Sequence, residues 1–251
     1  MPAYQRTLVE YEEYYDNIII KELEEIELPS EDGIPMESNW HRLQMNFLIE
    51  CIEYHWQDRN DYFVGGNMFI YYSLKQVRNR EYRGPDVFVV KDTDGTKNRD
   101  SWIVWQEDGK YPDVIIELSS PSTINIDLKD KKKLYEQTFH TAEYFCYDPT
   151  KNKLMGWRLE NGRYIEITPN EKGWLWCKEL NLWLGKWNGE FLRLNSIWIR
   201  FYNPYLEMIP TFAEAEAKRA EAEAVKVKKA EEEIIRLKAL LTKHGINEGQ
   251  V

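Results

Sequence analysis

A carboxylate lies in the middle of an apolar run. Glu117 interrupts the segment 114–118, whose other residues are valine, isoleucine or leucine. A short run of this kind, rich in β-branched residues and bounded here by Asp113 and Ser119, predicts a β-strand. A carboxylate in an apolar strand is costly unless it is paired, bound to a metal or facing solvent. Glu117 is therefore predicted to mark a functional site on this strand.

The surrounding segments predict an α/β (α+β) core. Apolar residues at helical spacing begin at Asn39, with Ser38 or Asn39 as N-cap, and continue to about Trp56. A second, lysine-rich helical pattern covers 127–140. Segments rich in aromatic and β-branched residues predict strands at 67–73, 85–91, 112–119, 143–147, 154–158, 163–168 and 192–201. We expect a mixed central sheet flanked by helices, with added β-hairpins.

Length and composition predict one catalytic-size domain with appendages. A chain of 251 residues with 43% apolar content can bury one substantial core. We assign residues 1–38 to an acidic N-terminal arm, 39–210 to the core domain and 211–251 to a charged C-terminal helix. No uncharged stretch approaches the roughly 18 residues of a membrane span, and the first six residues show no signal-like apolar region. The chain is therefore expected to be cytoplasmic, without membrane contact.

The C-terminal segment has the composition of one long exposed helix. Residues 211–243 contain neither glycine nor proline, and Gly245 supplies a stop. Alanine and aliphatic residues recur there at alternating four- and three-residue steps, but Glu231 and Lys238 interrupt the stripe. The pattern fits a coiled coil and a solvated single helix about equally well.

Cysteines, histidines and net charge narrow the chemistry. The cysteines lack the CxxC spacing of zinc or redox sites, so we expect buried free thiols at Cys51, Cys146 and Cys177. The histidines are too scattered to predict a histidine-based metal site or general base, which leaves carboxylates and lysine to carry any chemistry. A net charge of −10 counts against a simple nucleic-acid binder, although a bound divalent ion lets acidic residues approach phosphate.

Two carboxylates on separate strands are the best candidates for holding a divalent cation. Asp86 lies where the chain enters the strand predicted at 85–91, and Glu117 lies within the strand predicted at 112–119. Asp113 shares a strand face with Glu117, but the four-residue separation spans about 13 Å, too far for one metal ion. We therefore pair Glu117 with Asp86 and assign Asp113 to the strand entrance.

A lysine on the following helix completes the candidate site. Asp127, Lys131 and Tyr135 recur at four-residue steps and share one helix face. A helix packed on the sheet would bring one lysine to the carboxylates. Lys132 and Lys133 are alternatives to Lys131, and a lysine run is more often a solvated helix face, so spacing alone leaves the choice open.

Four motifs follow one another along the chain: Gly84-Pro85-Asp86-Val87, Val114-Ile115-Ile116-Glu117-Leu118-Ser119-Ser120-Pro121, Lys131-x-x-x-Tyr135 and Glu143-Tyr144-Phe145-Cys146-Tyr147-Asp148-Pro149. In this order they resemble the Uma-two family of endonucleases, which is abundant in cyanobacteria and belongs to the restriction-endonuclease-like PD-(D/E)XK superfamily. The resemblance covers about 28–201.

The resemblance implies a restriction-endonuclease-like core and a role for each motif residue. Asp86 and Glu117 would bind one or two Mg²⁺ ions, with Mn²⁺ as a substitute, and Lys131 would orient or deprotonate the attacking water. Ser119 stands where the superfamily usually places its strand lysine, so the lysine is relocated to the next helix. Glu50, on the first core helix, matches the position of an additional acidic ligand in the superfamily.

The implied function is hydrolysis of DNA by a metal-dependent endonuclease, acting as a homodimer that the C-terminal helix assists. One rival is a catalytically inactive nuclease-fold protein that binds a protein partner through its acidic surface and C-terminal helix. A second rival is a sugar-binding module, which depends only on the tryptophans and the β-rich region 150–201.

Overall fold

The computed structural model describes residues 38–73, 76 and 84–243, so the arm predicted at 1–38, apart from Ser38, and the stop at Gly245 lie outside the described residues. No helix within these ranges has the length and apolar character needed to cross a membrane. The helices are α1 (Asn39–His55), α2 (124–139) and α3 (Phe212–Lys243). The strands are β1 (Tyr62–Gly66), β2 (Ile70–Tyr71), β3 (Val87–Lys91), β4 (Trp102–Ile103), β5 (Val114–Leu118), β6 (Glu143–Asp148), β7 (Lys153–Glu160), β8 (Arg163–Glu166), β9 (Leu175–Cys177), β10 (Leu182–Phe191) and β11 (Leu194–Tyr202).

The central sheet is mixed, as predicted. Its six strands lie in the order β1-β3-β5-β6-β7-β8. Strands β5 and β6 run parallel, while the other neighbouring pairs run antiparallel. Parallel strands need a long crossover connection, and α2 supplies it. Strands β9 to β11 form a separate antiparallel sheet, and β2 pairs with β4 in parallel.

Both faces of the central sheet are buried. Val114 and Ile116 point to a core that includes α1 and strands β9 to β11. Ile115 points to the opposite core, which includes Tyr135 of α2. Because successive side chains of a strand alternate between faces, Glu117 belongs to the α2 face. The three cysteines are buried and free, as predicted.

Helix α3 is anchored to the core only by its first turns. Thr211 and Glu214 form a capping box, in which the Glu214 N–H donates to Thr211 Oγ1 and the Thr211 N–H donates to Glu214 Oε2. Glu214 also pairs with the buried Arg200 of β11 at 2.6 Å, and Ala215 is buried. Every later residue of the helix whose side chain is described is exposed. The prediction of a long exposed helix beginning near 211 agrees with this arrangement.

The first strand differs from the prediction. The segment 67–73 contains only the two-residue strand β2, whereas β1 lies earlier, where no strand is predicted, and includes Gly65 and Gly66. A Cβ on Gly65 would lie 2.3 Å from the ring of Phe88 on β3. The glycine therefore serves close packing of two strands, which local sequence does not distinguish from a turn.

The second sheet was predicted only in part. Strand β9 and the ten-residue β10 were not expected, and the strand predicted at 192–201 begins instead at Leu194. Leu192 and Arg193 have φ values of 47° and 66°, so they form the tight turn between β10 and β11. Such turns usually contain glycine or asparagine, and their absence removed the turn signal from the sequence.

Candidate active site

The candidate site lies at the end of β5, where Asp86 and Glu117 meet across two strands. The antiparallel ladder pairs Val87 with Ile116, so its continuation by one residue sets Asp86 opposite Glu117. Directly opposed residues have Cβ atoms about 4.5–5.5 Å apart. Asp86 Oδ2 also accepts a hydrogen bond of 2.6 Å from the backbone N–H of Leu118. The two carboxylates that the sequence paired are therefore close neighbours.

Two side chains of α2 hold Glu117 in place. Glu117 is only 1% exposed, and its Oε1 accepts a hydrogen bond of 2.7 Å from the hydroxyl of Tyr135. Lys131 Nζ lies 3.0 Å from Oε2 of the same carboxylate. The side chain of Lys131 is 21% exposed, whereas that of Glu117 is buried.

Asp127 and Ser119 position the lysine. Asp127 Oδ1 lies 3.0 Å from Lys131 Nζ, and Asp127 Oδ2 accepts a hydrogen bond of 2.7 Å from Ser119 Oγ. Ser119 Oγ also lies 3.0 Å from Cys146 Sγ. Residues 127–131 form one turn of π-helix, a rare geometry that is frequent at functional sites. Ser119 thus contacts the carboxylate that holds Lys131.

The electrostatics of the cluster favour a bound cation. Burial, with the nearby charges of Asp86 and Asp127, raises the pKa of Glu117 to about 8, and this rise is opposed by Lys131 and the Tyr135 hydroxyl. Burial lowers the pKa of Lys131, but Glu117, Asp127 and Asp86 outweigh it, so the pKa lies above its usual value. Three carboxylates surround one ammonium group, and a divalent cation would offset the excess negative charge.

His41 is a member of the cluster that the sequence did not indicate. His41 Nε2 lies 2.6 Å from Asp86 Oδ1, so both oxygens of Asp86 are engaged. The first turn of α1 holds this histidine, because the His41 N–H donates to the N-cap Ser38 at 3.1 Å. The sequence argued against a histidine-based metal site or general base, and the role of His41 here is instead a contact with a carboxylate. No local pattern signals the contact, since 45 residues separate its two side chains.

The fold separates the three consecutive lysines. Lys131 is the one that contacts Glu117 and Asp127. Lys132 Nζ lies 4.0 Å from the ring centroid of Trp157, and Lys133 is exposed. The structure therefore brings Lys131, and neither neighbour, to the carboxylates.

Two other predicted candidates lie away from the cluster. Asp113 Oδ2 accepts a hydrogen bond of 2.7 Å from the backbone N–H of Lys91, at the opposite end of β5. This contact agrees with the expectation that Asp113 fixes the strand entrance. Glu50 is exposed on α1, nine residues and about 13 Å along the helix from His41. The residue of α1 that reaches the site is His41 rather than Glu50.

The residues fit Mg²⁺ better than a metal that needs a full protein cage. Among residues 38–73, 76 and 84–243, no three histidine, cysteine, aspartate or glutamate side chains converge as a metal-ligand cluster. Mg²⁺ keeps several waters and usually binds through one or two carboxylates together with substrate phosphate. Asp86 and Glu117 provide such a pair of hard oxygen ligands.

Paired carboxylates at a strand end can bind a divalent cation, and the lysine beside them adds a positive charge to the same site. The chain belongs to the Uma2 family, described as "Putative restriction endonuclease", whose model matches residues 8–185. No curated protein matches the chain. A solved structure described as a putative nuclease belonging to DUF820 from Anabaena variabilis ATCC 29413 is 12% identical, with a TM-score of 0.44, and the match covers 64% of this chain and 89% of that one.

Proposed function

We propose that this member of the Uma2 family is a magnesium-dependent endonuclease that hydrolyses phosphodiester bonds in DNA. The observation that carries the proposal is the buried Glu117, which lies opposite Asp86 and is ion-paired with Lys131. A buried carboxylate with a raised pKa and a specific charged partner is typical of functional sites. Membership of a restriction-endonuclease family supports the reaction class.

Asp86 and Glu117 are the proposed metal ligands. When bound, Mg²⁺ activates water and neutralises charge on the scissile phosphate. Asp86 is already oriented by the side chain of His41 and by the backbone N–H of Leu118. Partners of this kind fix the direction of a ligand and tune its affinity for a metal.

Lys131 is proposed to act as a cation. Its raised pKa keeps the ammonium group protonated, so it stabilises negative charge at phosphorus and orients water rather than removing a proton. Asp127 and Ser119 are positioning residues in this scheme, because Ser119 holds Asp127 and Asp127 holds Lys131. Tyr135 orients Glu117 through its hydroxyl.

The proposal is tested by measuring metal binding and DNA cleavage on the same proteins. We expect the wild type to bind Mg²⁺ in calorimetry and to nick supercoiled plasmid only when Mg²⁺ or Mn²⁺ is present. Glu117→Ala should lose both properties while its circular dichroism spectrum stays unchanged. Glu117→Gln, which keeps the size of the side chain, should lose both as well.

Glu50→Ala is the matched control, because it removes an exposed carboxylate of α1 outside the cluster. This variant should bind Mg²⁺ and nick plasmid as the wild type does. Metal-dependent nicking by Glu117→Ala at the wild-type rate would exclude the assignment. A wild type that binds no Mg²⁺ would instead favour an inactive nuclease-fold protein with a role in protein interaction.

We also propose that the chain acts as a homodimer, because cutting a DNA duplex requires two phosphodiester bonds to be broken, one in each strand. The exposed part of α3 is the surface that favours this assembly.

A further inference from the structure

The distal half of α3 carries an apolar stripe. Val227, Ala230, Ile234, Leu237 and Leu241 follow alternating three- and four-residue steps, so they lie along one side of the helix. The four larger side chains are each between 41% and 53% exposed. Nothing in the described part of the chain covers this stripe. An uncovered stripe with heptad spacing marks an interaction surface.

This stripe defines a heptad register in which charges flank the seam. With Val227, Ile234 and Leu241 at a positions, Ala230 and Leu237 occupy d positions. Glu231 and Lys238 then occupy e positions beside the seam, where charged residues are usual. Glu231 and Lys238, which interrupt the stripe predicted from the sequence, therefore flank the stripe that contains Val227, Ile234 and Leu241.

We propose that α3 pairs with α3 of a second copy of this chain in a parallel, in-register, two-stranded coiled coil over residues 227–241. Lys226 and Glu233 occupy g positions in this register. In a parallel pair, each g residue faces the e residue five positions later on the other helix. Lys226 therefore faces Glu231 of the second copy, and Glu233 faces Lys238.

The charge pattern is self-complementary, which identifies the occupant as a second copy. Both g–e pairs join opposite charges, and two-fold symmetry repeats each of them. In an antiparallel pair, residue 227 of one helix would lie opposite residue 241 of the other. Lys226 would then lie outside the paired segment 227–241. Within one helix, Lys226 and Glu233 contact Glu223 and Arg236, but these pairs are highly exposed and easily exchanged.

The same register limits the pairing to the distal half of the helix. Glu216 and Glu223 occupy the preceding d positions, where each would face its own copy across a parallel seam. Like charges at these positions disfavour contact. The helices therefore separate before they reach the anchor at Glu214, and both core domains lie at the same end of the paired segment.

This arrangement has a consequence that depends on the proposed nuclease function. Two active sites tethered at one end of a parallel coil are available to both strands of a single duplex. Tethering raises the effective concentration of the second site once the first has bound. The dimer is therefore expected to make double-strand breaks, whereas a separated chain makes nicks.

Adjacent isoleucines provide the first test. Ile234 is in the seam, whereas Ile235 is 67% exposed at a b position on the outer side. In sedimentation velocity over a wide concentration range, we expect the wild type and Ile235→Glu to be dimers and Ile234→Glu to be a monomer. A monomeric wild type, or a dimer that survives Ile234→Glu, would overturn the proposal.

Charge reversal tests the parallel orientation. Lys226→Glu should weaken the dimer at least tenfold in Kd, and the double variant with Glu231→Lys should recover most of the loss. Residues five apart do not face each other on one helix, so recovery reports pairing between helices. Lys229→Glu, at an outer c position, should leave Kd unchanged. No recovery in the double variant would exclude the parallel register.

The outcomes separate this inference from the proposed function. Sedimentation reports pairing whether or not the protein cuts DNA. If the wild type is a dimer without nuclease activity and Ile234→Glu is a monomer, the coiled coil stands and the proposed function fails. If Ile234→Glu is a monomer that still nicks plasmid but makes few double-strand breaks, both stand.

Discussion

The candidate site and the C-terminal helix both contain lysine–carboxylate ion pairs, but the two environments differ greatly. Lys131 Nζ lies 3.0 Å from a Glu117 side chain that is 1% exposed. Lys226 Nζ lies 3.5 Å from Glu223, and both side chains are at least 68% exposed. A buried charge that loses its partner is strongly destabilising, whereas an exposed pair is screened by water. The lysine–carboxylate pair at the candidate site is therefore held in place, whereas the exposed pair on α3 can exchange its partners.

The largest effect on stability is expected from Lys131→Met. This change leaves the buried carboxylate of Asp127 without its compensating cation, so the free energy of unfolding at neutral pH should fall by about 3–5 kcal/mol. Urea unfolding followed by tryptophan fluorescence measures it, because every tryptophan lies before α3. Lys132→Met is the control and should lose about 1 kcal/mol or less. Equal losses of unfolding free energy in Lys131→Met and Lys132→Met would mean that the buried ion pair contributes no more than the contacts of its neighbour.

A smaller effect, on activity rather than stability, is expected from His41→Ala. His41 contacts Asp86 but is not proposed as a metal ligand, and loss of such an orienting partner typically lowers metal affinity or activity about 10–100-fold. Magnesium titration and plasmid nicking provide the readouts. His55→Ala, at the other end of α1, should keep activity per folded molecule. Wild-type metal affinity in His41→Ala would remove this histidine from the site.

Glu214 lies between the two environments and should show an intermediate effect. Burial raises the pKa of Glu214, but hydrogen bonds from Arg200 and Thr211 outweigh burial and hold it below the ordinary value. A carboxyl group with a depressed pKa stabilises the folded state above its unfolded pKa. That contribution is lost as the pH falls through the folded pKa.

Glu214→Gln should therefore lower the free energy of unfolding by about 1 kcal/mol at pH 7, a figure discounted because Glu214 is 38% exposed. The difference from the wild type should shrink as the pH falls below the ordinary glutamate pKa of 4.5. Glu216→Gln, at an exposed position of the same helix, should match the wild type at both pH values. If the difference in unfolding free energy between Glu214→Gln and the wild type grew as the pH fell, ionisation of Glu214 would not be the source of this stability.

The smallest effect is expected from Lys226→Met, the same substitution as at Lys131. The exposed pair with Glu223 contributes little, so the unfolding free energy of the core should change by less than about 0.5 kcal/mol. The same urea and fluorescence experiment tests this. A loss that approaches that of Lys131→Met would mean that burial does not separate the two regions.

The parts of the fold that were predicted are those that local pattern specifies. Helix α1, strand β5 and the exposed helix α3 each follow from a strong periodicity or an unusual composition. Strands β1 and β10 were missed because the signals that define them are not local. Gly65 is required by the ring of Phe88 on another strand, and the β10–β11 turn lacks glycine.

The candidate site was predicted to a similar extent. Asp86 and Glu117 followed from their positions in strands, and Lys131 from its helix face together with the family resemblance. The choice of Lys131 over Lys132 depends on which face of α2 meets the sheet. His41 had no sequence signal, because its contact with Asp86 joins two distant elements.

Local sequence patterns identified an apolar strand with a carboxylate in it and a long exposed helix after the core. Apolar runs, alternation and helix-forming composition act over a few residues, so they can be recognised without knowledge of the fold. The fold then showed how the surroundings of Glu117 differ from those of Glu143, a carboxylate on the neighbouring strand that is also buried. Glu143 is paired with Arg158 of β7, whereas Glu117 lies opposite Asp86 beside a partly exposed lysine. The physical reason is that the free energy of a buried charge depends on its spatial neighbours, and strand pairing and helix packing bring those neighbours from distant parts of the chain.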